Sequence, residues 1–218
     1  IVTDLVGDTG KNKRNPTGKP GLALHYVECH DNYTLFDKLA ISYWQTRNDT
    51  DKVTTGNLFT KIGAEGLATV REQDKLAAAY VFLSQGTPFI NGGQEFLRTK
   101  RGDENSYKSS DQKNAIDLNF KGTYADVYNT YKGLIAFRKA NSDAFGANTS
   151  ASATTVNAGV TKYTTGNFLV YFNATDAAVP IIDASGYSTA VDVSSGTPTE
   201  SADVPAKVAA KSFVILKK

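Results

Sequence analysis

Cysteine, methionine and histidine are scarce in this sequence. Its 218 residues include one cysteine, Cys29, no methionine, and two histidines, His25 and His30. One thiol cannot form a disulfide within the chain. Two histidines, without an HExxH or CxxC motif, exclude a His-rich metal site. The formal net charge of +2 is too small to indicate a nucleic acid or a membrane surface as a partner. No apolar run approaches the roughly 20 residues that span a bilayer.

The bulk composition is that of a soluble globular protein. Hydrophobic residues make up 40% of the chain and charged residues 21%, both ordinary values, and the length allows one large or two small domains. The sequence starts at Ile1 and shows no signal peptide. We therefore expect a fragment or a processed product. The sequence does not determine its compartment, although we favour a secreted or cell-surface location over a cytoplasmic one.

One stretch organises the first part of the chain. Residues 22–27 are a short apolar, partly β-branched run that predicts a buried strand. His30, Asp31 and Asn32 follow, shortly before an amphipathic segment that begins at Leu35 and predicts a helix. In parallel α/β folds, ligands bind at such strand-to-helix turns. A simpler interpretation is also open, because Asp and Asn before a helix commonly do no more than accept its first backbone N–H groups.

Helical spacing and chain breakers locate further elements. Apolar residues recur at helical intervals in two later segments, and Gly86 and Pro88 mark the end of one helix and the start of a short strand. The two strands with helices between them form a βαβ pattern, so the strands should be parallel. Residues 1–21 and 48–56 predict a surface loop and a turn. The predicted strands are 23–28 and 88–91, and the predicted helices are 34–45, 68–84 and 125–140.

From residue 142 onwards the composition changes. Ala, Ser, Thr, Val and Gly dominate, helical periodicity ends, and turn signals separate short strand-like runs. This pattern predicts a small antiparallel β-sandwich domain, with strands only after residue 150. We place the boundary near residue 145, which gives domains at 1–145 and 146–218. The predicted strands are 156–163, 168–173, 179–182, 189–193 and 212–216.

The series of motifs resembles a known enzyme family. Tyr-Val-Glu-Cys-His-Asp-Asn at 26–32 resembles the fourth conserved region of the α-amylase family of glycoside hydrolases, which ends barrel strand seven. The continuation at 33–39 is similar to the debranching branch of that family, the type I pullulanases. The resemblance covers residues 20–140 and is specific as an ordered series. The other matching motifs are Gln-Gly-Thr-Pro-Phe-Ile at 85–90, Gly-Gln-Glu at 93–95, Phe-Leu-Arg-Thr-Lys at 96–100, Asp-Glu-Asn-Ser-Tyr at 103–107 and Asn-Ala-Ile-Asp at 114–117.

This resemblance implies a fold and a set of residue roles. The fold class is α/β plus all-β: the C-terminal part of a (β/α)8 TIM barrel, with strands seven and eight and their helices, followed by an antiparallel β-sandwich. The family cleaves glycosidic bonds with retention, and three carboxylates form its site. Asp31 matches the third carboxylate, a transition-state stabiliser, and His30 and Asn32 match substrate-binding positions. Residues that match substrate-binding positions on the rim of the cleft are Arg98, Asn105, Tyr107 and Asp111.

The nucleophile and the acid–base residue of the family are not expected in these 218 residues. No Arg-x-Asp motif directly follows a predicted strand, so this part should be inactive alone. The expected partners are an α-glucan substrate and either the N-terminal remainder of the same enzyme or a second copy of this part, with no nucleic acid and no membrane span. No cofactor is expected, while calcium at the acidic pair Asp103 and Glu104 stays open.

Several alternatives remain. The resemblance implies cleavage of α-1,6 bonds in pullulan, glycogen or starch dextrins, but an isoamylase or a glycogen-debranching enzyme would also fit. A non-catalytic carbohydrate-binding module is a hypothesis of another class, because β-sandwiches often bind sugars. The charged loop 98–114 could also be merely solvated, with ion pairs that contribute little energy. Aromatic residues of the β part, whose spacing mostly favours core positions, are Tyr163, Phe168, Tyr171, Phe172 and Tyr187.

Overall fold

The structure is a computed structural model that describes residues 2–7, 18–47 and 58–218. Most of the loop predicted at 1–21 and the turn predicted at 48–56 therefore lie outside the described residues.

The described chain forms two compact units, each assembled from separate stretches of sequence. The predicted domain boundary near residue 145 stays a prediction. Unit 1 takes its residues from Ile1–His25, Leu76–Phe89 and Asn129–Lys218, and unit 2 takes its residues from Tyr26–Lys75 and Ile90–Tyr128.

The two strands predicted in the first part of the chain pair with each other. Strand β1 (Leu24–His25) and strand β2 (Thr87–Pro88) run parallel, so the predicted parallel pairing is confirmed. Both strands are shorter than predicted. Pro88 has no N–H with which to extend the ladder, and the carbonyl of Cys29 accepts a side-chain hydrogen bond instead of a strand partner.

Three long helices follow the predicted order. Helix α2 spans Leu35–Arg47, α3 spans Leu58–Leu83 and α6 spans Ala125–Ala140. The start of α3 lies well before the predicted residue 68, because Gly63, with φ 64° and ψ −172°, joins a separate first turn to the main helix. Glycine adopts such a positive φ without the steric cost of a Cβ. The short helices are α1 (Val2–Leu5), α4 (Asp111–Asn114), α5 (Phe120–Thr123) and α7 (Ser142–Phe145).

Gln85 is a polar centre of the unit 1 core. Its side chain is fully buried. The amide nitrogen donates to the carbonyl of Ala144 at 2.6 Å and to the hydroxyl of Tyr163 at 2.7 Å, and its oxygen accepts the Asn148 N–H at 2.6 Å. Both ends of the buried amide are therefore satisfied, and the segment that follows α3 is fixed to the β part of the same unit.

After residue 150 the described chain contains strands and turns only, as predicted. Six of these strands form one antiparallel sheet: β3 (Ser152–Asn157), β4 (Val160–Thr165), β5 (Phe168–Asn173), β7 (Thr189–Asp192), β8 (Thr199–Ser201) and β10 (Ser212–Lys217). Their order in the sheet is β3-β4-β5-β10-β7-β8, and every residue of the central strand β5 is buried.

A second, two-stranded antiparallel sheet contains β6 (Val179–Pro180) and β9 (Lys207–Val208). Val208 is fully buried in one core cluster with Leu169 and Tyr171 of the large sheet. The large and the small sheet therefore contribute residues to one core, and the β-sandwich stays a prediction.

Some of the strand predictions were wrong. Residues 156–163, predicted as a single strand, belong to the hairpin β3–β4. Gly159, with φ 83°, turns the chain between those two strands. Strands β8 and β9 were not predicted, because they have only three and two residues and lack an apolar run.

Candidate functional site

Residues 30–32, called the His30–Asp31 turn, connect β1 to α2 along the chain. The side chains of His30 and Asp31 are 89% and 79% exposed, and His30 Nε2 lies 3.7 Å from Asp31 Oδ2. Within the described part of the chain, His30 is the only polar partner of the Asp31 carboxylate. Asn32 is exposed and has a left-handed φ of 63°, which asparagine accepts better than most residues. The turn thus exposes three polar side chains to solvent, and their role in binding a substrate stays a prediction.

Other residues cap the start of α2. Thr34 Oγ1 accepts the N–H of Asp37 at 3.1 Å, and Glu28 Oε2 accepts the N–H of Leu35 at 2.7 Å. The threonine therefore acts as the N-terminal cap of α2. In the described hydrogen bonds the His30–Asp31 turn takes no part in capping, so the simpler interpretation of this turn is wrong.

Asn91 anchors the backbone that leads into the turn. Its Nδ2 donates to Glu28 Oε1 at 2.9 Å and to the carbonyl of Cys29 at 3.3 Å. Glu28 is 3% exposed. This burial raises the pKa of the Glu28 carboxyl, although the hydrogen bonds from Leu35 and Asn91 oppose the shift. Asn91, three residues after β2, thus holds residues 28–29, which lie shortly after β1.

A second anchor joins α2 to the loop after residue 98. The side chain of Asp37 is fully buried. Its carboxylate accepts the Thr99 hydroxyl, and the Lys100 N–H at 2.8 Å, and burial raises its pKa against the effect of these bonds. The Lys100 ammonium in turn donates to the carbonyl of His30 at 3.0 Å. The sequence patterns indicated neither anchor, because each joins residues about 60–70 positions apart.

Arg98, predicted as a substrate-binding residue, holds its own loop. The guanidinium donates to the carbonyl of Gly92 at 3.3 Å and to the carbonyl of Asn114 at 2.7 Å. Its Nε is buried and has no hydrogen-bond partner among the described residues. These contacts fix the base of the charged loop, and a substrate contact of Arg98 stays a prediction.

Asp103 organises the middle of the same loop. Its carboxylate accepts the Lys113 ammonium at 2.7 Å, the Ser109 hydroxyl at 2.8 Å and the Asn105 N–H at 3.0 Å. The hydrogen bond from Lys113, followed by those from Ser109 and Asn105, lowers the pKa of Asp103 to about 2. Because an ammonium and two further donors already surround this carboxylate, the arrangement disfavours calcium at this position.

The remaining predicted rim residues lie on the surface of unit 2. Tyr107 is 74% exposed, and the Lys108 ammonium lies 5.2 Å from the centre of its ring. Asn105 and Asp111 are also exposed, and Asp111 is the first residue of α4. Exposure leaves all three available to a sugar, although their role in binding stays a prediction.

The aromatic residues of the β part are core residues for the most part. Tyr163, Tyr171 and Phe172 are fully buried, and Phe168 is 4% exposed. Tyr187 is partly buried and packs against the core cluster that contains Leu169 and Tyr171. Buried rings cannot stack on an external sugar, so the structure gives little support to a carbohydrate-binding module built on these residues.

Among the described residues, no helix is both long and apolar enough to cross a membrane. The same residues contain no group of three or more His, Cys, Asp and Glu side chains arranged to hold a metal ion.

Known proteins match large parts of this chain, although no family model does. A pullulanase of Bacillus subtilis (strain 168) is 36% identical over 142 residues, which are 65% of this chain and 17% of the relative. An isoamylase of Flavobacterium sp is 34% identical over 143 residues, which are 63% of this chain and 17% of that relative. The chain thus spans about a sixth of the length of these curated relatives.

A solved structure extends the match to almost the whole chain. The pullulanase of Paenibacillus barengoltzii, in complex with maltohexaose and alpha-cyclodextrin, resembles it with a TM-score of 0.72 and 25% identity, over 99% of this chain and 32% of that one. These relatives are of the kind that the motifs indicated, namely debranching enzymes of the α-amylase type. They are pullulanases and isoamylases, which confirms the resemblance seen in the sequence.

Proposed function

We propose that this chain is part of a retaining debranching hydrolase that cleaves α-1,6-glucosidic bonds in α-glucans. In this proposal β1 and β2 are strands seven and eight of a (β/α)8 barrel that includes residues 1–145, and residues 146–218 are its β-sandwich domain. The parallel pairing of β1 with β2 supports the barrel. The relatives named pullulanase support the substrate class, while the isoamylase relative keeps isoamylase specificity as the second candidate.

The exposed Asp31 carboxylate is the observation that carries this proposal. Asp31 lies on the turn after a parallel strand and does not cap the following helix. In the proposed mechanism it binds hydroxyl groups of the sugar at the cleavage point and stabilises the positive charge that develops in the oxocarbenium-like transition state. The adjacent His30 imidazole and Asn32 amide hold the same sugar through hydrogen bonds to its hydroxyl groups.

The exposed residues of the loop supply the outer part of the proposed site. Tyr107 offers one ring face to a second sugar unit, and Asn105 and Asp111 offer hydrogen bonds to hydroxyl groups. Arg98 supports this loop through the carbonyls that it binds, and in this proposal its guanidinium also contacts a sugar at the rim of the site. The nucleophile and the acid–base residue lie outside these 218 residues in this proposal, so the chain needs the remainder of the barrel as a partner.

The substitution Asp31→Asn tests the proposal in the intact enzyme. It keeps the shape of the side chain and removes the charge. We expect kcat on an α-1,6-linked glucan to fall by about 10²–10³-fold, a typical effect for a group that stabilises transition-state charge, while KM changes by less than about threefold. The free energy of unfolding should stay within about 0.5 kcal/mol of wild type, because this exposed carboxylate caps no helix.

The matched control is Asp176→Asn. Asp176 is an exposed aspartate of the β part, paired with Lys211 at 3.1 Å, and its substitution should leave both kcat and stability unchanged. Turnover of the Asp31→Asn enzyme within about threefold of wild type would contradict the proposed role of Asp31.

A further inference from the structure

Lys100 is a buried lysine whose ammonium points at the candidate site. The residue is 6% exposed, and its Nζ donates to the carbonyl of His30 at 3.0 Å. Lysine has a flexible stem and normally extends its ammonium into water. Burial of an ammonium is unfavourable unless hydrogen bonds or opposite charge compensate for it. The position of this charge beneath the His30–Asp31 turn therefore requires an explanation beyond surface solvation.

The acceptor of this hydrogen bond belongs to the peptide between His30 and Asp31. Within the described hydrogen bonds, Lys100 is the only donor to that carbonyl. The next residue, Asn32, has a left-handed φ of 63°, and a non-glycine residue in this region persists when its surroundings fix it. A fixed His30 carbonyl therefore orients the peptide that carries the Asp31 side chain.

Asp37 fixes Lys100 in turn. Its fully buried carboxylate accepts the Lys100 N–H at 2.8 Å and the Thr99 hydroxyl. The connection therefore runs from α2 through Asp37 to the backbone of Lys100, and through its ammonium to the turn. Two buried charged residues thus connect a rigid helix to an exposed turn.

We propose that Lys100 is a positioning residue, which fixes the His30–Asp31 peptide by donating a hydrogen bond to the His30 carbonyl and is itself held by Asp37. The importance of Lys100 for catalysis rests on the proposed function of Asp31. The effect of Lys100 on the His30–Asp31 turn is independent of that function.

A first experiment on the 218-residue chain needs no sugar. The wild-type NMR spectrum should show the Lys100 ammonium in slow exchange with water, with a hydrogen-bond coupling to the His30 carbonyl. In Lys100→Met, which keeps the unbranched apolar stem but lacks the terminal donor, amide hydrogen exchange at Asp31 and Asn32 should accelerate by about tenfold or more. The matched control Lys113→Met removes a lysine bound to Asp103 and should leave those two amides unchanged.

The kinetic arm uses the intact enzyme. Lys100→Met should lower kcat by about tenfold or more, because small displacements of a positioned group are costly in rate, and should change KM by less than about threefold. A role in stability alone would lower the melting temperature without changing kcat of the folded enzyme. Lys100→Arg, which keeps a charged donor, should recover part of the rate.

Two outcomes would overturn the inference. The first is a wild-type spectrum without the slowly exchanging Lys100 ammonium, which needs no variant to fold. The second is a folded Lys100→Met chain with wild-type exchange at Asp31 and Asn32. If the turn loosens but Asp31→Asn leaves turnover intact, then the positioning by Lys100 stands and the proposed function of Asp31 fails.

Discussion

Replacement of Glu28 by glutamine tests whether a buried carboxylate, and not the neighbouring Asp31, holds the start of α2. Glu28 accepts the Leu35 N–H at 2.7 Å and the Asn91 amide at 2.9 Å, one with each oxygen. Glutamine has a single acceptor oxygen, so its NH2 group must face one of those two donors. The donor that loses its acceptor is buried, and such a group costs about 1–3 kcal/mol.

An opposing effect limits the expected loss. Burial raises the pKa of Glu28, which means that the ionised carboxylate is less favourable here than in the unfolded chain. Glutamine avoids that cost. We therefore expect Glu28→Gln to lower the free energy of unfolding at pH 7 by about 1–3 kcal/mol, no more than the cost of one unsatisfied donor. Glu28→Ala, which removes both acceptors and leaves a cavity, should lose about 3–5 kcal/mol.

Urea unfolding followed by tryptophan fluorescence measures the effect. The single tryptophan, Trp44, lies in α2, the helix that Glu28 caps. The control is Glu72→Gln, because the Glu72 side chain is 49% exposed and pairs with Lys75 on the same helix face. That surface change should alter the unfolding free energy by less than about 0.5 kcal/mol. A Glu28→Gln protein as stable as the Glu72→Gln protein would refute the reasoning.

The pH dependence of stability gives a second comparison between the wild-type protein and the Glu28→Gln variant. Because the pKa of Glu28 is raised in the folded state, the folded chain binds this proton more tightly than the unfolded chain does. Its contribution is fully present below the unfolded pKa and is lost as the pH rises through the folded pKa. The advantage of wild type over Glu28→Gln should therefore be larger near pH 4 than near pH 7.

Two further predictions concern other parts of the chain. Gly133→Ala should lower the free energy of unfolding by at least about 1–3 kcal/mol, because the added Cβ would lie 1.9 Å from the carbonyl oxygen of Val193. Gly122→Ala is the control, since a Cβ there meets nothing within 4 Å, and thermal unfolding should show it to be close to neutral. The lowered pKa of Asp103, about 2, predicts that its contribution to stability is present above the unfolded value of 3.8 and is lost as the pH falls towards 2. In an NMR pH titration of Asp103→Asn, this acid dependence should disappear from the amide signals of residues 103–113. A variant loop that responds to acid as the wild-type loop does would contradict the lowered pKa of Asp103.

Local patterns in the sequence predicted those parts of the fold that depend on local interactions. The helical spacing of α2 and α6 and the apolar run of β5 are consequences of neighbouring residues, and the structure has them close to the predicted bounds. Gly63 and Gly159 were less informative, because a glycine in the sequence does not reveal whether its φ is positive. In the structure both are positive, and these two angles account for the misplaced start of α3 and the missed hairpin β3–β4.

The candidate site shows the same contrast between features that depend on local sequence and features that depend on distant residues. Three carboxylates, Glu28, Asp31 and Asp37, lie within ten residues, and composition and spacing treat them as equivalent candidates. Their surroundings separate them: Glu28 and Asp37 are buried and accept hydrogen bonds from residues far away in sequence, and Asp31 is 79% exposed. The motif predicted Asp31 because the resemblance names its position. No pattern predicted the other two, because their partners in the described structure, such as Asn91 and Lys100, are brought to them only by the folded chain.

This separation of roles explains how the exposed carboxylate can remain unused by the fold. A helix that begins shortly after a turn leaves backbone N–H groups that need acceptors, and an aspartate on the turn would be an obvious acceptor. Here Thr34 and the buried Glu28 accept those N–H groups instead. Within the described hydrogen bonds Asp31 therefore caps no helix, and its exposed carboxylate is left for the sugar contact proposed above. The expected signature is a substitution that changes turnover and leaves stability intact, which is the opposite of the result expected at Glu28.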